Sequence, residues 1–251
     1  MADSKVPAAD ATLRILSHLA TQRGPVAAAT IAAALELPRS TVYHLLAVLQ
    51  ERGFVMHLPE ARRYGLGVAA FELSGGFARQ QPLSRLGHPL LADLVDRVGE
   101  SAHLAVMHGR DVLYIVEERA PRRPHLVTDV GVRLPAHLTA SGRAMLARLP
   151  KEQVRALFPD ASAFVDRTGI GPSRYRDLRR LLDTVASDAF ATENGEITPG
   201  MASVAVAVTD HVGWPAAAVA VTFPAGEEPR GLVADVTAAA SELSRRIRGR
   251  A

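Results

Sequence analysis

The chain has 251 residues, a length that suits one large or two modest domains, and 48% of them are apolar, which is enough to build buried cores. It contains no cysteine, so a disulfide framework, a thiolate metal site and a cysteine nucleophile are all excluded. The 29 basic and 26 acidic residues leave a net charge of only +3, so any affinity for nucleic acid must come from local placement of charge.

Signals for export or membrane insertion are missing from the sequence. No stretch has the roughly 18 uncharged apolar residues that a membrane span needs. The first residues include acids and no long apolar run, which is not typical of an export signal. Together with the lack of cysteine, this predicts a protein of the reducing cytoplasm with no membrane partner.

The first elements along the chain are two short helices. Asp10 to Ala20 is predicted to be a helix with Asp10 as its N-cap. Its inward face is predicted to consist of Leu13, Leu16, Leu19 and Ala20. Ala27 to Leu35 is a second helical pattern, and the two residues Glu36 and Leu37 leave room only for a tight turn before the next element.

The third helix lies within Leu37 to Val55, in the sequence LPRSTVYHLLAVLQERGFV. Pro38 suits its first turn and Gly53 suits its exit, where a left-handed residue ends a helix. An apolar stripe at helical spacing is formed by Val42, Leu45, Leu46 and Leu49. The side chains on the opposite face are small and polar, so this face of the helix can enter a groove.

A predicted hairpin follows the third helix. Phe54 to His57 and Arg62 to Leu66 read as its two strands, with a four-residue turn between them. An apolar stripe and a hairpin are more often plain core elements when each is taken singly. The order helix, turn, helix and hairpin instead favours a winged helix-turn-helix, in which the hairpin is the wing.

This interpretation assigns DNA contacts to residues of the third helix and the wing. Base edges or nearby phosphates are predicted to be reached by Ser40, Thr41, Tyr43 and His44. The DNA backbone or minor groove is predicted to be contacted by Arg39, Arg62 and Arg63. A single small reading helix buries too little surface for tight specific binding, so a near-palindromic site bound by a homodimer or tetramer is expected.

The sequence contains only weak matches to catalytic or cofactor-binding motifs. Gly65 to Ala70 matches a fragment of a dinucleotide fingerprint, but the charged strand before it does not resemble the buried first strand of that fold. No P-loop, nucleophile elbow or zinc-protease motif occurs. His103 and His108 are five apart on a strand and should face opposite sides, which argues against a shared metal. No cofactor, metal or catalytic activity is therefore predicted.

The pattern changes after the wing. Val68 to Arg79 is helical with a Gly75-Gly76 break, and Gln80-Gln81-Pro82 is taken as the link to a second domain. Helices are then predicted at Pro82 to Val98, His137 to Leu149, Lys151 to Phe158, Tyr175 to Phe190 and Gly231 to Arg248. Strands are predicted on both sides of a Gly109-Arg110 turn within residues 101–118, and at His125 to Val130, Ser203 to Val208 and Ala216 to Phe223.

Four motifs give the chain a resemblance to the IclR-type bacterial transcriptional regulators over nearly its full length. They are LPRSTVYHLLAVLQERGFV, RRYGLG, VGVRLPAHLTASGRAMLARLP and AFATENGEITPGMASVAVAV. The resemblance implies a first domain that binds operator DNA and a second, GAF-like domain that binds a small effector and supports dimers and tetramers. The sequence departs from the common pattern at His44, often an arginine, at Glu193, often an aspartate, and at Ser203, often a cysteine.

The resemblance also implies an effector site between the sheet and the start of the HLTASGRA helix. The matching positions here are Leu126, Ala140, Ser141, Glu193, Met201, Ser203, Ala220 and Thr222. Free amides and a positive dipole end at the helix start beside Ala140 and Ser141 suit a carboxylate, which favours an organic acid with a ring or a short chain. Met201 and Leu126 could equally be plain core, and His137 is only a candidate member of the pocket.

The sequence therefore predicts an α+β protein in three parts. A winged helix-turn-helix domain is expected in residues 1–66, a linker helix in 67–81, and an effector-binding and oligomerisation domain with a GAF-like antiparallel sheet flanked by helices in 82–251. The expected function is a ligand-responsive repressor of catabolic genes. Two alternatives stay open at this point: an enzyme that uses a helix-turn-helix as an interaction module, and an RNA-binding winged helix.

Overall fold

A computed structural model describes residues 5–22, 24–73, 82–121, 123 and 126–248. The chain divides into two compact units, Met1–Gln80 and Gln81–Ala251, each with a buried core of its own. The domain boundaries inferred from the sequence, after residues 66 and 81, stay predictions. None of the helices in the described part of the chain is long and apolar enough to cross a bilayer.

The first unit contains three helices and a small sheet. The helices are α1 (Pro7–Ala20), α2 (Ala28–Leu35) and α3 (Arg39–Glu51), and the strands are β1 (Val26–Ala27), β2 (Val55–Leu58) and β3 (Arg63–Leu66). The strands pair antiparallel in the order β1-β3-β2, and residues 68–73 are helical. This arrangement confirms the predicted winged helix-turn-helix, while β1 was not predicted because a two-residue strand has no periodicity of its own.

Helix α1 begins earlier than the sequence suggested. Its N-cap is Val6, so the prediction of Asp10 as N-cap is wrong, and Asp10 lies in the first turn. The buried stripe is Ala11, Ile15 and Leu19, at a spacing of four residues. Of the four residues predicted to face inward, Leu13 is 64% exposed, Ala20 is exposed, Leu16 is half-buried and Leu19 is buried.

Helix α3 follows the sequence pattern closely. Val42, Leu46 and Leu49 are buried, and Leu45 is half-buried against the same core. Pro38 is the N-cap rather than a residue of the first turn, and Gly53 ends the helix region with a φ of +73°. The turn before α3 depends on Glu36, which adopts a left-handed φ of 54°.

The second unit is a six-stranded antiparallel sheet with helices on both faces. Its helices are α4 (Pro82–Val98), α5 (Ala140–Leu146), α6 (Lys151–Leu157), α7 (Tyr175–Asp188) and α8 (Leu232–Arg248). Its strands are β4 (Ser101–His108), β5 (Asp111–Glu118), β6 (Arg133–Pro135), β7 (Ala191–Asn194), β8 (Met201–Thr209) and β9 (Pro215–Pro224). They pair in the order β6-β5-β4-β9-β8-β7, which confirms the predicted α+β architecture.

The two faces of this sheet belong to different cores. Val204 and Val206 of β8 and Val219 and Val221 of β9 lie in the core that includes α4 and α8. The alternate residues of the same strands, which include Ala205, Ala218 and Ala220, lie in the core that includes α5, α6 and α7. Successive residues of these strands therefore point into two different cores, one on each face of the sheet.

Several predicted elements of this unit need correction. The strand predicted at His125 to Val130 is wrong: residues 126–130 form no strand, their sequence LVTDV lacks strict alternation, and Thr128 and Asp129 contact His103 and Arg119 through their side chains. The strand is β6 instead. Strand β7 was missed, and the predicted helix at 137–149 shortens to α5. Outside the described residues lie the Gly75-Gly76 break, the Gln80-Gln81 link and His125.

Candidate ligand cavity and nucleic-acid interface

A cavity lies between the sheet of the second unit and the start of α5. It is lined by residues of β4, β5, β7, β8, β9, α5 and the adjoining loops: His103, Tyr114, Leu126, Val127, Thr128, Thr139, Ala140, Ser141, Glu193, Ile197, Thr198, Met201, Ser203, Ala220 and Thr222. Its volume of about 20 Å³ is room for about one water molecule. A larger ligand would have to displace wall residues, and Leu126 and Met201 are the half-buried apolar ones.

All eight residues assigned to the effector site from the sequence line this one cavity. The structure adds seven lining residues that were not predicted, including His103 and Tyr114. The sequence gives His103 only a place on strand β4, facing away from His108, and does not mark it as a member of a binding site. His137 does not line the cavity; its ring packs edge-on against Phe158 and Phe164.

The helix start in the cavity wall is fixed by two local features. Thr139 is the N-cap of α5, and its Oγ1 accepts a hydrogen bond of 3.0 Å from the amide of Gly142. Gly142 packs directly on backbone, because a Cβ there would lie 2.2 Å from the carbonyl oxygen of Ala136. The cap already uses the Gly142 amide, so any ligand contact in this turn falls to Ala140 and Ser141.

Arg143 joins this helix to the far edge of the sheet. It is 3% exposed, and its guanidinium donates to the carbonyls of His137 and Thr192 at 2.9 and 2.8 Å and to the carboxylate of Glu196 at 2.7 Å. A buried arginine needs such full pairing to offset its loss of hydration. Its contacts place α5 beside β7, which carries Glu193.

A row of polar side chains crosses three neighbouring strands on the cavity side. Glu193 of β7 pairs with Ser203 of β8, which pairs with Thr222 of β9. Ser203 Oγ donates to Glu193 Oε1 at 2.8 Å and lies 3.0 Å from Thr222 Oγ1. Because the Ser203 proton goes to the carboxyl, Thr222 donates to Ser203. Among the described residues, Glu193 Oε2 meets no full hydrogen-bond geometry, although the backbone amide of Ile197 lies near the carboxyl.

The same sheet contributes His103 from β4 and Tyr114 from β5, and the start of α5 contributes Ser141. Thr128 Oγ1 lies 3.3 Å from His103 Nε2, while His103 Nδ1 has no partner among the described residues. The buried Ser141 hydroxyl lies near that of Tyr114 without meeting hydrogen-bond geometry. Burial, assisted by the charge of Arg119, lowers the pKa of His103 to about 3, so its ring is neutral.

The electrostatics of the cavity are governed by Glu193. Burial raises the pKa of this carboxyl to about 7, although its hydrogen bond from Ser203 acts in the opposite direction. Burial also holds the pKa of Tyr114 well above its usual value, so the phenol is neutral. Among the described lining residues there is no Arg or Lys. Glu193 is therefore the group there that changes charge near neutral pH.

The outer face of α3 is exposed and free of carboxylates over its first three turns. Exposed side chains there include those of Arg39, Ser40, Tyr43 and His44, and Thr41 is half-buried. Tyr43 is 53% exposed despite its aromatic ring. The structure thus presents the four predicted reading residues, and Arg39, on the outer side of α3.

The wing carries two arginines and an aromatic stack. Arg62 and Arg63 are exposed. Arg63 Nη1 also donates a hydrogen bond of 3.2 Å to the carbonyl of Pro25, which connects β3 to the residue before β1. His57 and Tyr64 form a cross-strand pair whose ring centroids are 4.5 Å apart. Arg63 therefore has a role in the fold that the sequence did not reveal.

Comparison with known proteins assigns the class. A family model described as the IclR helix-turn-helix domain matches residues 8–59, and one described as the C-terminal part of bacterial transcriptional regulator IclR matches residues 76–245. The protein is thus a DNA-binding transcriptional regulator. The chain belongs to the IclR family, as its motifs suggested.

Individual relatives agree with this assignment. The probable transcriptional regulator SauR of Cupriavidus necator is 31% identical and covers 97% of this chain and 98% of its own. The transcriptional repressor IclR of Escherichia coli is 27% identical over 84% of this chain and 78% of its own. An IclR homologue of Microbacterium hydrocarbonoxydans, solved in complex with 4-hydroxybenzoate, shares the fold with a TM-score of 0.84 at 22% identity, over 96% of this chain and 99% of that one.

Proposed function

We propose that this regulator is a homo-oligomeric repressor of catabolic genes that binds a near-palindromic operator and responds to a small organic acid in the sheet cavity. The observation that carries the proposal is the gathering of eight residues from five separate segments around one cavity with unpartnered polar atoms. Relatives named as repressors, and a structural relative that holds 4-hydroxybenzoate, support it.

In this proposal the acid lies between the start of α5 and strand β8. Its carboxylate faces Ala140 and Ser141, and its carbon skeleton contacts Leu126, Met201 and Ala220. Glu193, Ser203 and Thr222 read a second polar group of the acid. The acid changes DNA affinity by favouring one arrangement of the protein over another, and the segment from residue 68 to residue 82 carries that change.

DNA binding is assigned to the exposed surfaces of α3 and the wing. Ser40, Thr41, Tyr43 and His44 contact bases or nearby phosphates, while Arg39, Arg62 and Arg63 contact the DNA backbone or the minor groove. No enzymatic step is included, since the relatives are transcriptional regulators. Two copies present their helices to half-sites about one turn of DNA apart, or a multiple of that.

The test measures binding to DNA fragments upstream of the protein's own gene over a range of salt concentrations. We expect Arg62→Ala to weaken binding to all sequences and to flatten the salt dependence by about one unit of slope for each lost phosphate contact. Tyr43→Ala should instead change base preference. Arg167→Ala, at an exposed site of the second unit, is the matched control. If the variant in which both Arg62 and Arg63 are replaced by Ala keeps the salt dependence of the wild type, the wing assignment is refuted.

The remaining parts of the proposal are tested in the same preparation. Light scattering should give a multiple of the 26.8 kDa chain, and a single-chain particle with and without operator would contradict the oligomer. Calorimetric titration with benzoate, 4-hydroxybenzoate, pyruvate and lactate should identify at least one acid that binds and alters operator affinity. Failure of every acid would remove the organic-acid assignment.

A further inference from the structure

Glu193 is the ionisable group whose chemistry the proposed binding mode leaves unexplained. The residue is 5% exposed and lines the cavity. Its Oε1 accepts the hydrogen bond from Ser203, whereas its Oε2 is buried and meets no full hydrogen-bond geometry among the described residues, although the backbone amide of Ile197 lies near this carboxyl and lowers its pKa slightly. A buried carboxylate oxygen without a donor is unfavourable, so this atom is poised to gain a proton or a ligand donor.

The groups that face Glu193 offer little compensation for a negative charge. The charged or titratable ones are His103 of β4, Tyr114 of β5, Arg143 of α5 and Glu196 of the loop after β7. His103 and Tyr114 are neutral, and Ser203 and Thr222 are the uncharged neighbours from β8 and β9. Arg143 already donates to Glu196 and to two carbonyls, so its charge is paired within the fold.

An acid effector would bring a second negative charge into this space. Two carboxylates that share a small enclosed site cannot both ionise without a large penalty, and one of them then keeps a proton. No Arg or Lys among the described lining residues could neutralise the pair. Glu193 is the carboxyl whose pKa the fold already raises by burial, so the proton is assigned to Glu193 rather than to the effector.

We propose that an acid effector enters this cavity together with one proton, which Glu193 holds on Oε2 and shares with the effector. The inference rests on the proposed function and adds to it the protonation state in which the acid is recognised. The proton goes to Oε2 because Oε1 accepts from Ser203. The effector contributes one negative charge and Glu193 loses one, so binding leaves the net charge of the cavity unchanged.

The cost of placing this proton is small near neutral pH. Burial has already raised the pKa of Glu193 to about 7, so about half of the protein molecules carry the proton before any acid arrives. A protonated Glu193 donates from Oε2 and still accepts at Oε1, which suits the second polar group of the acid, and it no longer repels the acid's carboxylate elsewhere in the same small cavity. Effector affinity should therefore depend on pH in the range where Glu193 titrates.

The test counts protons during binding of the acid identified by the titrations with benzoate, 4-hydroxybenzoate, pyruvate and lactate. Calorimetry in phosphate and in imidazole, which both buffer between pH 6 and pH 8 and whose ionisation enthalpies differ, gives the number of protons taken up per site. We expect about 0.9 proton at pH 8 and about 0.1 at pH 6, with affinity falling about tenfold per pH unit above 7. The amide of the same acid should bind without proton uptake.

Glu193→Gln identifies the group that takes the proton. This variant should bind the acid with no proton uptake and with one affinity from pH 6 to pH 9. Glu152→Gln, at an exposed position of α6, should behave as the wild type. If Glu193→Gln does not fold, the wild-type proton count at pH 6 and pH 8 decides the question.

The outcomes separate this inference from the proposed function. An acid that binds at pH 8 with no proton uptake overturns the inference and leaves the proposed function standing. Uptake that persists in Glu193→Gln also overturns it, since the proton then goes to another group. If no acid binds even at pH 5.5, both the proposed function and the inference fail.

Discussion

Strands β8 and β9 present two different faces, and the comparison explains why the cavity lies on one of them. On the face toward α4 and α8, Val204, Val206, Val219 and Val221 are buried in a continuous apolar core. On the other face the alternate residues are alanines and short polar side chains, and the cavity lies there. One pair of strands thus combines a face that stabilises the fold with a face that leaves space, because successive side chains point in opposite directions.

The face toward α5 also carries the ionisable group, and this gives the largest expected effect. Glu193 has a usual pKa of 4.5, and in the folded protein burial raises it to about 7. The folded state therefore holds a proton that the unfolded state releases, and its contribution to stability is fully present below pH 4.5. It is lost as the pH rises to 7, at a cost of about 3 kcal/mol.

The measurement compares wild type with Glu193→Gln by urea unfolding between pH 4 and pH 8. Trp214 is the single tryptophan of the chain and lies in the second unit, so its fluorescence follows that unit. The stability of the wild type relative to Glu193→Gln should fall by about 3 kcal/mol over this range. A constant difference would show that folding does not oppose ionisation of Glu193. Glu152→Gln should show no such trend.

The packed face is tested by removing volume from it. Val219 is fully buried, and Val219→Ala should lower the free energy of unfolding by about 2 kcal/mol, since it removes two buried carbons and leaves a small void. Because the side chain points away from the cavity, effector affinity should stay as in the wild type. Urea unfolding measures the loss of stability, and calorimetric titration measures the effector affinity. A loss of affinity would mean that the two faces of the sheet are not independent.

The neighbouring residue gives the reverse experiment on the cavity face. Ala220 lines the cavity, whose volume is only about 20 Å³. Ala220→Val adds two carbons there and should weaken effector binding by at least about tenfold, or about 1.4 kcal/mol. Titration with the same acid checks this, and Val219→Ala is its control. Unchanged affinity would place the effector elsewhere.

The smallest effect is expected from the polar row itself. Ser203→Val removes the hydroxyl that donates to Glu193 and should weaken the effector by about 1 kcal/mol, the value of one hydrogen bond. Operator affinity in the absence of effector should not change. Thr222→Val removes only the outer hydroxyl of the row and should cost less. If the wild type, Ser203→Val and Thr222→Val bind the effector with equal affinity, these polar side chains are not part of the binding site.

The sequence predicted best those elements whose pattern is local. The β4 and β5 strands, with their Gly109-Arg110 turn, and the buried stripe of α3 follow from periodicity and turn residues alone. Strand β7 has four residues and no apolar run, so its place in the sheet depends on its pairing with β8. Residues 126–130 contain the apolar and β-branched residues typical of a strand but no strict alternation, and Thr128 and Asp129 use their side chains for contacts with His103 and Arg119.

The cavity could be located from the sequence only through the resemblance to a family. Its eight predicted residues come from five segments that are far apart in the chain, and no periodicity connects them. His103 escaped notice because a lone histidine on a strand is usually an ordinary core residue. The absence of cations among the described lining residues, and hence the importance of Glu193, depends on which side chains the fold brings together.

The close contact between Gly53 and Gly67 has a mechanical consequence for the first unit. A Cβ at Gly67 would lie 2.3 Å from the carbonyl oxygen of Gly53, and that same oxygen accepts a 3.0 Å hydrogen bond from the amide of Ala69. The exit of α3 and the first turn of the helical segment 68–73 are thereby fastened to each other. A side chain at position 67 would therefore push the segment away from Gly53, so the direction in which the chain leaves the wing is coupled to the end of α3.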